Sequence, residues 1–182
     1  MKIKQKCNME FWAGKVDTLC ILPLSLNIPF VTGMVPEISK IVAKNDLEEL
    51  NKKVNSFLKI TIALAIPSTA VIMIFSKQIL NLLFPNASEG FALLQINSFS
   101  ILFSMIAQTI NGILQGIGKN HIPLIGFSLG MILKFLANII LIRNENIGIK
   151  GAALGNIICN ATVCLIGFCY LKKYVKINFR KY

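Results

Sequence analysis

Five polar residues, Ser100, Ser104, Gln108, Asn111 and Gln115, recur at spacings of four, four, three and four in an otherwise apolar segment. On an α-helix these spacings put them on one face, a continuous stripe of hydroxyls and carboxamides that faces something other than lipid. The next apolar segment carries Lys134 near its middle and Asn138 one turn later, flanked by Phe127 and Leu141. A third segment places Asn156, Asn160 and Cys164 on one face. Carboxamides hydrogen-bond hydroxyls as donor and as acceptor, and an ammonium meets phosphate. Lys134, Asn138, Gln108, Asn111, Gln115, Asn156 and Asn160 are therefore the candidates to line a cavity for an anionic, sugar-rich headgroup, with apolar walls for a lipid tail.

Energetics make the lysine the most informative of these. A lysine at the centre of a membrane helix costs roughly 2.5–3.5 kcal/mol on insertion scales, so it normally faces a bundle interior or a watery cavity. Lys134 lies roughly 18 Å of helix from Ile122 and roughly 12 Å from Ile142. Snorkelling shortens the second path without abolishing it. The plainer alternative is a lysine that snorkels or pairs with a neighbouring helix's carbonyl and has no functional role.

Composition sets the class of the elements that must position these groups. Hydrophobic residues make up 54% of the 182, and only 15% are charged. The mean hydropathy is +0.65. Several runs exceed the roughly 18 apolar residues that mark a bilayer span, so an all-α, polytopic transmembrane bundle of five spans is expected. These fall over residues 18–35, 58–76, 92–115, 122–142 and 151–171, with a short polar turn at 116–121. The net charge of +11 resides mainly in loops and tails, where positive-inside topology and anionic lipid explain it without nucleic acid. The five cysteines form no CxxC pair and read as reduced packing residues.

Residues 1–17 form a basic leader, and no small-x-small cleavage site follows to make the first span a signal peptide. Pro23, Pro29 and Gly33 predict a bent or broken first helix. Residues 37–57 alternate apolar and charged side chains, an amphipathic connector with a break and N-cap at Asn45–Asp46. A short amphipathic piece is expected over 78–84. Residues 172–182 form a basic tail on the cytoplasmic side. With that tail inside, ten basic residues fall in the inner loops and tail against three in the outer loops, in agreement with the rule. The cost is a leader with four lysines outside. Gly112/Gly116, Gly126/Gly130 and Gly151/Gly155 place small residues on one face of each of the last three spans, which permits close helix contact.

Enzyme chemistry finds little support. The eight acidic residues are dispersed outside the spans, so neither a metal cluster nor an acid–base pair is indicated. His121 is the only histidine and reads as a solvated turn residue. Gly116-Ile-Gly-Lys119 lacks the context of a phosphate loop and reads as a turn. No catalytic residue, metal ligand or cofactor is expected.

A resemblance rests on several motifs taken in order. Met34-Val-Pro-Glu-Ile-Ser-Lys, Ala65-Ile-Pro, Leu80-Asn-Leu-Leu-Phe-Pro, Gly112-Ile-Leu-Gln-Gly-Ile-Gly-Lys, Leu133-Lys-Phe-Leu-Ala-Asn and Ile147-Gly-Ile-Lys-Gly-Ala-Ala-Leu-Gly-Asn resemble the C-terminal half of the stage V sporulation protein B group. That group belongs to the polysaccharide-biosynthesis and lipid II flippase-like proteins of the multidrug/oligosaccharidyl-lipid/polysaccharide exporter superfamily. The resemblance implies two lobes of helices in the bacterial cytoplasmic membrane that move undecaprenyl-linked sugars by alternating access. It implies that the five spans correspond to the eighth to twelfth and that the loop over 37–57 is cytoplasmic. Lys134 and Asn138 match the group's Lys-x-x-x-Asn pattern. Residues 18–171 then form a partial C-terminal lobe whose partners are membrane lipids, a lipid-linked sugar, and an N-terminal lobe or partner chain. Two other readings stand beside this one: a membrane-embedded scaffold that docks through its glycine faces, and an inactive remnant of a truncated gene.

Overall fold

The computed structural model describes residues 2–83, 91–143 and 150–175. Five α-helices account for nearly all of them: α1 (Lys2–Ala43), α2 (Leu47–Leu83), α3 (Phe91–Gly116), α4 (His121–Arg143) and α5 (Lys150–Tyr174). Each contains a stretch long and apolar enough to cross a bilayer.

The first helix is not broken. It runs through Pro23, Pro29 and Pro36 and takes in the leader from Lys2 onward. A break within the bilayer would leave several backbone groups without water to bond, so the helix continues past each missing N–H. The connector expected over 37–57 is not a separate element. Its first residues finish α1, and those from Leu47 begin α2. At 37 residues α2 is roughly 55 Å long, well beyond a hydrocarbon core of roughly 30 Å, so its charged first turns overhang the membrane. Gln78–Leu83 likewise continues α2 beyond a kink at Phe75 (φ −95°, ψ 15°). The loops over 84–90 and 144–149 and the tail from 176 lie outside the described residues.

Local chemistry sets the two turns that are described. Between α1 and α2, Asn45 takes φ 55°, and the Glu49 N–H donates to Asp46 Oδ1 at 2.9 Å, an N-cap bond that satisfies one free donor of α2. Glu37 and Lys53 form an ion pair across the same turn. After α3, Gly118 takes φ 83°. There Gly118 N–H bonds Gln115 C=O at 2.9 Å and Lys119 N–H bonds Leu114 C=O at 2.8 Å. This is a Schellman close, which needs glycine at the left-handed position. It reverses the chain into α4.

Helix α3 is the axis of the bundle. It packs along α1, α2 and α5, whereas α4 packs along α5 and barely touches α3. One core, around Met34, Ile38, Phe57, Ile110 and Leu171, joins α1, α2, α3 and α5. A second joins Leu19, Ala65, Leu80, Leu94 and Met105 of α1, α2 and α3. Glycine brings α1 and α3 together. A methyl group added at Gly112 would sit 2.6 Å from Val31 Cγ1, and one at Gly116 would sit 2.8 Å from Ile38 Cβ and 3.1 Å from the Val35 carbonyl.

Gly116→Ala should therefore force α1 away from α3 and destabilise the bundle by about 1–3 kcal/mol. Gly33→Ala, at a position with open space around it, should be neutral. Thermal unfolding of the two variants in detergent checks this, and equal midpoints would contradict the close approach.

Candidate functional site

The polar stripe of α3 faces inward along most of its length, and its members have different partners. Ser100 is buried and accepts a 2.7 Å hydrogen bond from Asn160 Nδ2 of α5. Gln108 Oε1 accepts from Asn27 Nδ2 of α1 at 3.0 Å, and the same Nδ2 reaches the Met105 carbonyl at 3.3 Å. Asn156 Nδ2 donates to Asn97 Oδ1 at 3.4 Å, and Asn97 Nδ2 points to Cys20 Sγ at 3.5 Å. These bonds tie α5 to α3 and α3 to α1. Thr61 and Thr109 share a 2.8 Å hydroxyl bond between α2 and α3. Interhelical bonds of this kind contribute about 0.6 kcal/mol each on average, so they fix register more than they supply stability.

Toward the end of α3 the stripe opens into a cleft. Gln108, Asn111, Gly112 and Gln115 of α3, Ile28, Val31 and Thr32 of α1, and Phe127 of α4 enclose about 230 Å³. Asn111 is 5% exposed, and its Nδ2 has no hydrogen-bond partner among the described residues. The Thr32 hydroxyl donates to the Ile28 carbonyl at 2.8 Å, so its oxygen is left to accept. No charged side chain lines this cleft.

Lys134 and Asn138 lie elsewhere. Gly126, Gly130, Lys134 and Asn138 follow one another at intervals of four on α4, and that face meets α5. A methyl group at Gly130 would lie 3.1 Å from Val163 Cγ2 and 3.2 Å from both the carbonyl and the sulfur of Cys159. One at Gly155 would overlap Asn138 Oδ1. That oxygen is buried without a partner among the described residues. Lys134 is half-buried and lies one turn beyond Gly130, which packs on Cys159 of α5. It makes no ion pair or hydrogen bond among the described residues.

The sequence-derived set is thus distributed over three places: Gln108, Asn111 and Gln115 at the cleft, Asn156 and Asn160 bonded to the first half of α3, and Lys134 with Asn138 between α4 and α5. Sequence reasoning missed Asn27, which is fully buried and holds Gln108 in place. Its signal was available, since a carboxamide between Pro23 and Pro29 in an apolar run is as unusual as those in the stripe. Asn97 and the Thr61–Thr109 pair were missed as well. His121 is exposed at the start of α4, and Cys20, Cys159, Cys164 and Cys169 are free thiols.

Together the helices make a multi-pass membrane bundle with many of its polar groups turned inward and an uncharged cleft at the end of α3. Comparison with known proteins gives the class a family: the model described as lipid II flippase MurJ matches residues 16–182, and the chain belongs to that family. It is 32% identical over 146 residues to the uncharacterized membrane protein YabM of Bacillus subtilis (strain 168), which covers 80% of this chain and 27% of that protein. It is 25% identical over 171 residues to the lipid II flippase MurJ of the same organism, covering 91% of this chain and 31% of that protein. The chain therefore spans about a third or less of the length of these curated relatives. No solved structure matches it. Five spans and family membership make it a multi-pass cell membrane protein.

The Asn138–Gly155 contact yields a direct test of the α4–α5 seam. Gly155→Ala should lower stability in detergent by about 1–3 kcal/mol through the clash with Asn138. Asn138→Ala in the same chain should restore most of the loss. A double-mutant cycle from thermal unfolding measures this coupling, and additive effects would contradict the packing.

Proposed function

We propose that this chain supplies part of one lobe of a flippase for undecaprenyl-linked sugars used in polysaccharide or peptidoglycan export. The rest of the cavity comes from an N-terminal lobe, on the same or a partner polypeptide. The single observation that carries this reading is the cleft at the end of α3, where three carboxamides meet apolar and aromatic walls and the donor of the buried one, Asn111 Nδ2, is left unpaired. A purely structural polar seam would use up its donors between helices, as Ser100 with Asn160 does. With the α3–α4 turn on the cytoplasmic side, as the basic-residue count suggests, the cleft lies near the face from which a lipid-linked precursor is loaded. Lys134 then offers an unpaired ammonium to the phosphates of the same lipid. Its position argues for this: a half-buried cation without an acidic partner is costly in a bilayer unless a ligand compensates it.

The docking reading is less well supported. Gly126, Gly130 and Gly155, the glycines it would use to bind a partner, pack α4 and α5 against each other. They are occupied within the chain.

The test is translocation of a lipid-linked disaccharide in proteoliposomes that contain this chain with the membrane proteins it co-purifies with. Lys134→Gln should slow translocation by about tenfold or more, the equivalent of a lost charge-assisted hydrogen bond, at unchanged protein level. Wild-type rates in that variant would remove Lys134 from the substrate path.

A further inference from the structure

The cleft and Lys134 differ in chemistry, and the difference indicates which part of the ligand each takes. Every polar group at the cleft is neutral: the carboxamides of Gln108, Asn111 and Gln115 and the hydroxyl of Thr32. A diphosphate there would lack any countercharge, an expensive arrangement in a low-dielectric site. A sugar ring would not. Its hydroxyls and amide substituents both donate and accept. The free Asn111 Nδ2 needs an acceptor, and the Thr32 oxygen, whose proton goes to the Ile28 carbonyl, can accept.

The remaining wall is aromatic. Phe127 is 46% exposed, and its ring offers an apolar surface on which the C–H face of a pyranose can stack. The volume, about 230 Å³, lies below the roughly 300–1,000 Å³ of drug-sized ligand pockets, which suits one ring rather than an extended glycan. Lys134 follows Phe127 by seven residues on α4, nearly two full turns. It therefore lies about 10 Å farther along the helix, on the Gly126–Gly130 face that meets α5 and outside the cleft lining.

We infer that the α1–α3–α4 cleft is a neutral subsite for a single sugar ring, stacked on Phe127 and hydrogen-bonded by Asn111 and Gln108, and distinct from the place where the phosphates are held. This rests on the lipid-linked sugar reading above, and it adds the part of the headgroup and the aromatic contact.

The test uses the whole purified chain in detergent, with saturation-transfer NMR on two soluble probes, N-acetylglucosamine and methyl glucoside, and inorganic pyrophosphate in competition. Saturation transfer to the N-acetyl sugar is expected, falling at least fivefold in Phe127→Ala and in Asn111→Leu and persisting in Ile140→Ala, a change on an exposed face of α4. Phe127 is far enough exposed that its truncation leaves the core intact, so loss of fold does not mimic loss of binding. Pyrophosphate should not displace the sugar. Absence of sugar binding, sugar binding indifferent to Phe127 and Asn111, or displacement by pyrophosphate would each overturn the subsite. The flippase reading is judged separately by translocation of the intact lipid, so either can fail without the other.

Discussion

In a bilayer nothing squeezes helices together as water does, and close backbone approach with matched polar groups must take over. Helix α3 is where this constraint is met, and the rest of the bundle depends on it. Gly112 and Gly116 let α1 come within van der Waals distance, and Thr109 bonds Thr61 on α2. Ile110 sits against Gly167 of α5, where an added methyl would approach to 2.7 Å. Three neighbours are thereby fixed around one helix. Their mutual spacing leaves a groove along the face that carries the polar stripe.

Once the groove exists, its polar groups divide into those that hold helices and those that remain available. The Asn160–Ser100 bond and the bonds from Asn27 Nδ2 to Gln108 and to the Met105 carbonyl are of the first kind. Asn111 Nδ2, Asn138 Oδ1, Asn27 Oδ1 and Thr69 Oγ1 are of the second, buried without a partner among the described residues. An unmet buried donor or acceptor costs roughly 1–3 kcal/mol. Of the four, only Asn111 Nδ2 belongs to a residue that lines the α1–α3–α4 cleft.

The periodicity of the sequence made the five spans and the inward stripe legible, because spacings of three and four leave little freedom in a helix. Partners were not legible. Nothing in the order of residues tells whether Ser100 meets α1 or α5, and the single cavity expected for all seven polar residues is divided among three places. Lys134 and Asn138 went to the α5 seam because Gly126, Gly130 and Gly155 set the rotation of α4, a packing preference that periodicity alone does not reveal. The continuity of α1 was illegible for another reason. Proline signals a helix end in water, whereas in lipid the alternatives to helix are worse. Asp46 was legible because capping is local: its carboxylate needs only the N–H three residues ahead.

The manner in which α4 is attached bears on how the cleft can work. A cleft between two tightly packed helices would have a fixed width. This one has α1 and α3, locked by glycine contacts, on one side, and on the other α4, which is held from behind by α5 and has little contact with α3. Altering its width therefore leaves the α1–α3 glycine contacts untouched and separates few groups, chiefly around Phe127. Helix α5 grips α3 through the Asn160–Ser100 bond and through Gly167 against Ile110, the second of these beside Asn111. Packing thus concentrates helix contact along α3 and leaves little of it at the wall that Phe127 of α4 forms.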